Sequence, residues 1–333
     1  MSSSASLDNF ARSSYPTTTP TAPFSPVAEY ADPFTSSTPE PSSAPEPSSS
    51  APAPSSLPKP NTTAIAALLQ NGDRTFGRLS KILSTPSGTD RLLATTCYTL
   101  TLLSSLITTR LTTNIEKIAS QFAEKASLAL EPGESVMATF PIPPLTKHLA
   151  SLANSSQKLA SLISDYRIFT RLWGLLGLYA WGKSVYLNPP SDSFLKVVAY
   201  TQVGVNVCFQ TLENMAYLAS KGIITRDSAT QTRDWKWSSR FWMSHVVLDF
   251  LRLYRTRSLR HARVDKLGEE DKEAKALRKD EEATWWREFV VNACYFPMTI
   301  HWSTDGILSP TQVGALGSVA GGTSLRYLWK NAA

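Results

Sequence analysis

His245 and Asp249 have a spacing that could support general-base chemistry. They lie four positions apart, about one helical turn, so the carboxylate could orient the imidazole. The sequence places no nucleophile beside them. It also lacks the glycine-rich phosphate loops and the GxSxG and HExxH motifs that accompany common catalytic sites. We therefore predict that the chain is not an enzyme and has no catalytic residues.

The cysteines and histidines indicate neither a metal site nor a disulfide framework. Cys97, Cys208 and Cys294 are far apart, odd in number and outside any CxxC motif. The four histidines are equally scattered. We predict that these side chains serve packing and are not ligands, with no metal and no cofactor bound.

Glu213 is the only charged residue in the apolar stretch 197–220, which is long enough to cross a bilayer. Polar residues recur with it along one helical face. In lipid this face must meet other helices, and in water it would be the solvated side of an amphipathic helix. Both settings remain open, although we favour partial embedding with the face turned inward and a packing role for Glu213 over a proton site. We call this face the polar seam: Gln202, Asn206, Gln210, Glu213 and Asn214.

The elements that carry these residues are predicted to be all α-helical. From residue 62 onward, apolar residues recur at helical spacing and prolines separate the helices. Thirty-five of the first sixty residues are Ser, Thr or Pro, so we predict a disordered tail over residues 1–61. Residues 62–333 are predicted to form a membrane-associated helical bundle. It contains a charged loop at about 264–283 and a helical hairpin at about 284–330.

Two predicted helices carry an apolar stripe that could lie in a membrane interface. The first covers residues 90–111, for which an interface and a helical bundle both remain open. The second covers residues 157–186, and its uncharged core of eleven residues is too short to cross ~30 Å of hydrocarbon. We favour an interfacial helix there over a soluble core helix. The residues predicted to insert are Leu93, Cys97, Leu100, Ile107 and Leu111 in the first helix, and Leu162, Phe169, Trp173 and Leu176 in the second.

The last third of the chain changes abruptly from charged to apolar. Residues 252–288 carry twenty charged side chains, whereas residues 289–325 carry one, Asp305. Small residues allow helices to approach closely in lipid, so the apolar hairpin is predicted to be a membrane anchor and an oligomerisation surface. Ser309 followed by Gln312, with Pro310 between them, predicts a helix start. The glycines of that helix face are Gly314, Gly317 and Gly321.

Basic residues before this hairpin suit an anionic partner. The net charge of the chain is +6, and no DNA- or RNA-reading motif is present, so lipid headgroups are favoured over nucleic acid. The arginines predicted to contact anionic lipid are Arg252, Arg255, Arg257 and Arg260.

Five short motifs occur in an order that resembles the peroxin-11 family, closest to its fungal and gamma-type branch. Each motif is loose by itself, and the specificity comes from their order over about residues 75–330. They are GTDRLL at 88–93, YRIFTRL at 166–172, LENMAYL at 212–218, WSSR at 237–240 and HWS at 301–303.

This resemblance implies a non-enzymatic protein of the peroxisomal membrane. The family implies insertion by a peroxin-19 type import receptor, self-association into homo-oligomers, membrane elongation and recruitment of the organelle fission machinery. The tail would then face the cytosol. Two other functions remain open: a soluble or peripheral all-helical adaptor, and a small membrane channel that uses the polar seam.

Overall fold

The computed structural model describes residues 64–129, 143–267 and 272–332, and the predicted tail lies outside these ranges. Within them all regular structure is helical, which confirms the all-α prediction. The elements are α1 (Ala64–Leu83), α2 (Pro86–Ala129), α3 (Pro144–Thr170), a 3₁₀ turn (Arg171–Trp173), α4 (Gly174–Leu187), α5 (Ser193–Ser220), α6 (Ser228–Leu267), α7 (Lys272–Ser303) and α8 (Pro310–Asn331).

Local sequence explains where α8 starts and how the chain turns before it. At the start of α8 the Gln312 amide donates to Ser309 Oγ, and the Ser309 amide donates to Gln312 Oε1. This reciprocal cap, with Pro310 in the first turn, confirms the predicted start. Gly306, with φ of 90°, makes the turn before α8, a conformation that a residue without Cβ adopts readily.

Helix α2 lies between α3 and α8, while α5, α6 and α7 pack in sequence and α7 returns to α8. Helix α4 leaves this arrangement and packs against α5 and the 3₁₀ turn. The main core joins α2, α5, α6, α7 and α8. Its centre includes Tyr98, Phe209, Trp242 and Met298, and the Trp242 ring stacks on Trp302 with centroids 5.4 Å apart.

The C-terminal hairpin differs from its predicted form in two respects. Helix α7 begins at Lys272, so the described part of the predicted charged loop from that residue onward is helical. Helix α8 also packs more extensively on α2 than on α7, its expected partner. The apolar block is therefore part of a larger bundle.

Among the described residues, one helix is long and apolar enough to cross a membrane. It is Pro86–Ala126 within α2, and 22% of its most apolar window is buried inside the protein. The sequence pattern instead favours residues 197–220 and 289–325 as membrane-embedded segments. Length and composition alone therefore place the candidate membrane span at α2.

Candidate functional site

An apolar stripe runs along the outside of α3, the 3₁₀ turn and α4. Its side chains recur at intervals of three and four residues, which keeps them on one side of a nearly continuous helical path. Leu162 and Leu176 are 66% and 69% exposed. The predicted residues Leu162, Phe169, Trp173 and Leu176 thus share one open face. We call this face the outer stripe: Leu159, Leu162, Tyr166, Phe169, Trp173 and Leu176.

The opposite face of α3 is buried against α2. Small residues such as Ala160 and Ser164 allow this approach, and the Cys97 thiol donates to the Ala160 carbonyl at 3.1 Å. Arg167 donates two hydrogen bonds to the Asp90 carboxylate, from Nε at 2.7 Å and from Nη2 at 3.1 Å. The outer stripe therefore belongs to a helix that an ion pair holds in one rotational setting.

A second buried pair fixes the 3₁₀ turn to α5. Arg171 donates from Nε and Nη2 to the two carboxylate oxygens of Glu213, both at 2.9 Å. Both side chains are almost completely buried. Because an uncompensated charge is costly at such a site, the two residues must be present together.

Two amides of the polar seam bind the backbone where α3 ends. Gln210 Nε2 donates to the Arg171 carbonyl at 3.0 Å, and Asn214 Nδ2 donates to the Leu172 carbonyl at 3.1 Å. Gly174 leaves room for this contact, because a Cβ there would lie 2.8 Å from Gln210 Oε1. The seam thus secures the junction between the two halves of the outer stripe.

The remaining seam residues pack against α6. Asn206 Nδ2 lies 2.8 Å from His245 Nδ1, and Gln202 Nε2 donates to Asp249 at 3.3 Å. Asp249 also accepts hydrogen bonds from Arg252 and Asn292. The seam faces the inside of the bundle, and His245 and Asp249 belong to a packing network. The described ranges contain no cluster of His, Cys, Asp or Glu that could hold a metal.

The first predicted stripe lies in α2, and its placement corrects the prediction for Cys97. This residue is completely buried under α3, so it cannot face lipid. Leu93, Leu100, Ile107 and Leu111 are half-buried because α2 is covered from two sides. The open apolar side chains of this helix include Leu103, Leu106 and Ile118.

The glycine face of α8 meets α2 of the same chain. A Cβ on Gly314 would lie 2.7 Å from the Leu102 nitrogen, and one on Gly317 would lie 2.2 Å from the Tyr98 ring. Gly321 similarly faces Thr95. The glycines allow α8 to pack closely, as predicted for small residues. Their predicted role in oligomerisation is corrected, because α2 of the same chain covers this face.

The four arginines predicted to contact lipid are also engaged within the chain. Each arginine contacts a carboxylate or an aromatic ring from another helix or turn. The prediction that they are free to bind lipid headgroups is therefore corrected. Arg252 pairs with Asp249 and Glu288, Arg255 with Asp192, and Arg260 with Glu281, while Arg257 lies 4.4 Å above the Trp285 ring.

The contact at Asp192 closes the turn before α5. Hydrogen bonds from Arg255 and from the Leu195 backbone amide favour the ionised carboxylate and lower the pKa of Asp192. Arg255 donates at 2.7 Å in this pair. The same carboxylate therefore caps α5 and ties its start to α6.

Three of the five sequence motifs meet at the two buried pairs. Asp90 comes from GTDRLL, Arg167 and Arg171 come from YRIFTRL, and Glu213 comes from LENMAYL. We did not predict these pairings. The four-residue spacing of the arginines, opposite the outer stripe, was the available signal that both point inward.

Comparison with known proteins identifies sequence relatives of this chain. The family model "Peroxisomal biogenesis factor 11 (PEX11)" matches residues 145–329, which include the outer stripe, the polar seam and the C-terminal helices. The uncharacterized protein C1F12.04c of Schizosaccharomyces pombe is 26% identical over 167 residues, covering 50% of this chain and 72% of the relative. No solved structure matches the chain.

Proposed function

Because the chain belongs to the peroxisomal biogenesis factor 11 family, we propose that its outer stripe inserts into the peroxisomal membrane and promotes membrane elongation. The family consists of peroxisomal membrane proteins with a role in peroxisome proliferation. Its designation as a biogenesis factor names no enzyme activity. The proposal concerns how this chain acts on the membrane.

The observation that carries the proposal is the contrast between the two faces of α3. The outer stripe is open to solvent, whereas Arg167 on the other face is buried and paired. The helix cannot roll to hide its apolar side chains without breaking this pair. Transfer of one large apolar side chain out of water contributes about 2 kcal/mol, so six of them favour a membrane interface strongly.

Insertion of this stripe would expand the headgroup region of one leaflet and favour curvature. Self-association would repeat this local wedge and extend it into a tubule on which the fission machinery could act. The glycine face is covered by α2, so we assign self-association to another surface of the chain. Delivery by a peroxin-19 type receptor and a cytosolic position for the tail belong to the same proposal.

The polar seam favours this function over a channel. Glu213 is bonded to Arg171, and Gln210 and Asn214 are bonded to backbone carbonyls of the adjacent turn. These seam groups therefore make their hydrogen bonds at contacts between helices. A packing role for the seam accounts for the bonds that its side chains make.

Vesicle binding by the full-length protein tests the proposal. We expect Leu162→Glu with Phe169→Glu to weaken binding to anionic liposomes by more than tenfold and to abolish tubule formation, because two charges enter the inserted face. The matched control is Gln157→Glu with Ser161→Glu. It adds the same charges to exposed positions of α3 outside the stripe and should retain tubulation.

A cellular assay gives an independent readout. Raised levels of the wild-type protein should elongate or multiply peroxisomes, and the stripe variant should not. The wild-type protein should remain in the membrane pellet after alkaline carbonate washing, whereas an adaptor would be released. Equal tubulation by the stripe variant and its control would exclude the wedge mechanism.

A further inference from the structure

A groove lies between α4 and α5 on the side of α4 that packs towards the bundle. Its volume is about 670 Å³, and it opens to the surface. Leu178, Tyr179 and Tyr186 contribute one wall, and Val203 and Val207 contribute the other. Gly182 lets the helices meet at its base, because a Cβ there would lie 3.2 Å from a Val203 methyl group.

Lys183 is the only charged residue that lines this groove. It is exposed, and within the described ranges no carboxylate lies within ion-pair distance of its ammonium group. Asp192, the nearest carboxylate along the chain, binds Arg255 instead. The groove therefore combines an apolar wall with a cation that is available to an anionic group.

A second groove, on the other side of α5, lacks this combination. It lies between α5 and α6, has a volume of about 430 Å³ and is lined by residues that include Val205, Met243 and Val247. None of its lining residues is charged. The two grooves share the same central helix, so they provide an internal comparison of apolar shape with and without a cation.

We infer that the groove between α4 and α5 holds one acyl chain of an anionic phospholipid, with Lys183 paired with the net negative charge of its headgroup. An acyl chain complements the apolar walls, and the ammonium complements the net negative charge that a phosphatidylserine headgroup has and a phosphatidylcholine headgroup lacks. The acyl chain of a bilayer lipid is already out of water, so its transfer to the groove does not distinguish between headgroups. The preference for an anionic headgroup therefore comes from Lys183. The inference rests on the proposed function only for the delivery of lipid, because the outer stripe brings α4 to the bilayer.

Photolabelling of the purified full-length protein tests this site. The probe is phosphatidylserine with a diazirine on one acyl chain, supplied in phosphatidylcholine vesicles, and the labelled peptides are mapped by mass spectrometry. We expect labelling in the α4–α5 groove. Val207→Trp should fill the groove and abolish this labelling, whereas Val205→Trp, which fills the second groove, should leave it unchanged.

Lys183→Gln isolates the role of the charge. We expect it to lower labelling by the phosphatidylserine probe roughly fivefold, the ratio for one basic residue near an anionic surface. Labelling by a phosphatidylcholine probe with the same acyl diazirine should stay the same. Lys183 is exposed, so this variant also tests the site if the tryptophan variants fail to fold.

The inference is wrong if Val207→Trp and Val205→Trp reduce labelling equally. It is also wrong if Lys183→Gln changes both probes alike or neither. Delivery of the probe from mixed detergent micelles distinguishes a failure of lipid binding in the groove from a failure of membrane insertion by the outer stripe. The variant Leu162→Glu with Phe169→Glu should lose vesicle binding but still label the groove from micelles.

Discussion

Arg171 and Glu213 join the outer stripe to the polar seam through two parallel hydrogen bonds of 2.9 Å. Arg167, one turn earlier, makes the same kind of pair with Asp90 of α2. Neighbouring positions on one helical face are therefore tied to two different helices, α2 and α5. This arrangement holds the exposed apolar face away from the bundle, where it can meet a membrane.

We expect Glu213→Leu to lower the free energy of unfolding by about 3–5 kcal/mol, because Arg171 would remain buried without a counter-charge. Adding Arg171→Met should restore most of this loss, since an apolar pair needs no charge compensation. Chemical unfolding in detergent, followed by circular dichroism, measures both effects. Asp165→Asn is the control, because it removes the charge of an exposed pair with Lys221 but keeps an oxygen that can accept from Tyr217, and it should cost less than about 1 kcal/mol.

The glycine face of α8 gives a second prediction. Gly317→Ala should destabilise the protein by about 1–3 kcal/mol, because its methyl group would overlap the Tyr98 ring. Gly322→Ala is the control on the same helix, where a Cβ meets no atom within 4 Å. It should be neutral or stabilising by up to about 1 kcal/mol. Thermal unfolding midpoints that shift together would contradict the assigned packing of α8 on α2.

The junction of α3 and α4 can be tested through Gly174. Gly174→Ala would push against Gln210, whose amide donates to the Arg171 carbonyl, so we expect faster hydrogen exchange throughout α4. Gly177→Ala lies on the same helix with no atom within 4 Å of its added Cβ. It should leave exchange in α4 unchanged or slower. Faster exchange in both variants would indicate a general effect of alanine.

The shared face of the outer stripe can be predicted from the local pattern, because helical spacing alone produces it. The spacing of Leu162, Phe169 and Trp173 places them on one face of any helix that includes them. The start of α8 was predictable for the same reason, since Ser309 and Gln312 cap each other within four residues. Neither feature depends on which helices from other parts of the sequence pack against it.

The wrong predictions concern packing and ion-pair partners from other parts of the chain, which the sequence pattern does not identify. Gly317 indicated close packing, but a face of small residues does not say whether α2, α7 or a second copy covers it. Arg255 and Arg260 looked like free cations, because Asp192 and Glu281 reach them only through the tertiary fold. The buried contact of Cys97 with Ala160 has the same origin.

The pair of Asp192 and Arg255 predicts a pH dependence. The pKa of Asp192 is lower in the folded protein than its ordinary value, so its ionised form stabilises the fold above the unfolded pKa of about 3.9. This contribution is lost as the pH falls through the lower, folded pKa. Thermal unfolding from pH 7 to 3 should show Asp192→Asn below wild type at neutral pH, with the difference shrinking below about pH 4. A difference that stays constant to pH 3 would argue against this role.

Arg252 and Lys183 should separate folding from lipid recognition. Arg252 Nη2 lies 2.7 Å from Glu288, and Arg252 Nε lies 2.6 Å from Asp249, so the guanidinium is already engaged. We expect Arg252→Gln to lower the free energy of unfolding by on the order of 1–2 kcal/mol, since these contacts are partly exposed. Its affinity for anionic vesicles should not change.

Lys183→Gln should have the opposite effect, with unchanged stability and weaker binding of anionic lipid, because its ammonium has no carboxylate partner among the described residues. Unfolding curves and vesicle cosedimentation, measured on both variants, make the comparison. If Arg252→Gln weakened vesicle binding while its unfolding curve matched the wild type, the arginine would contact lipid after all. Its carboxylate contacts would then have to open at the membrane surface.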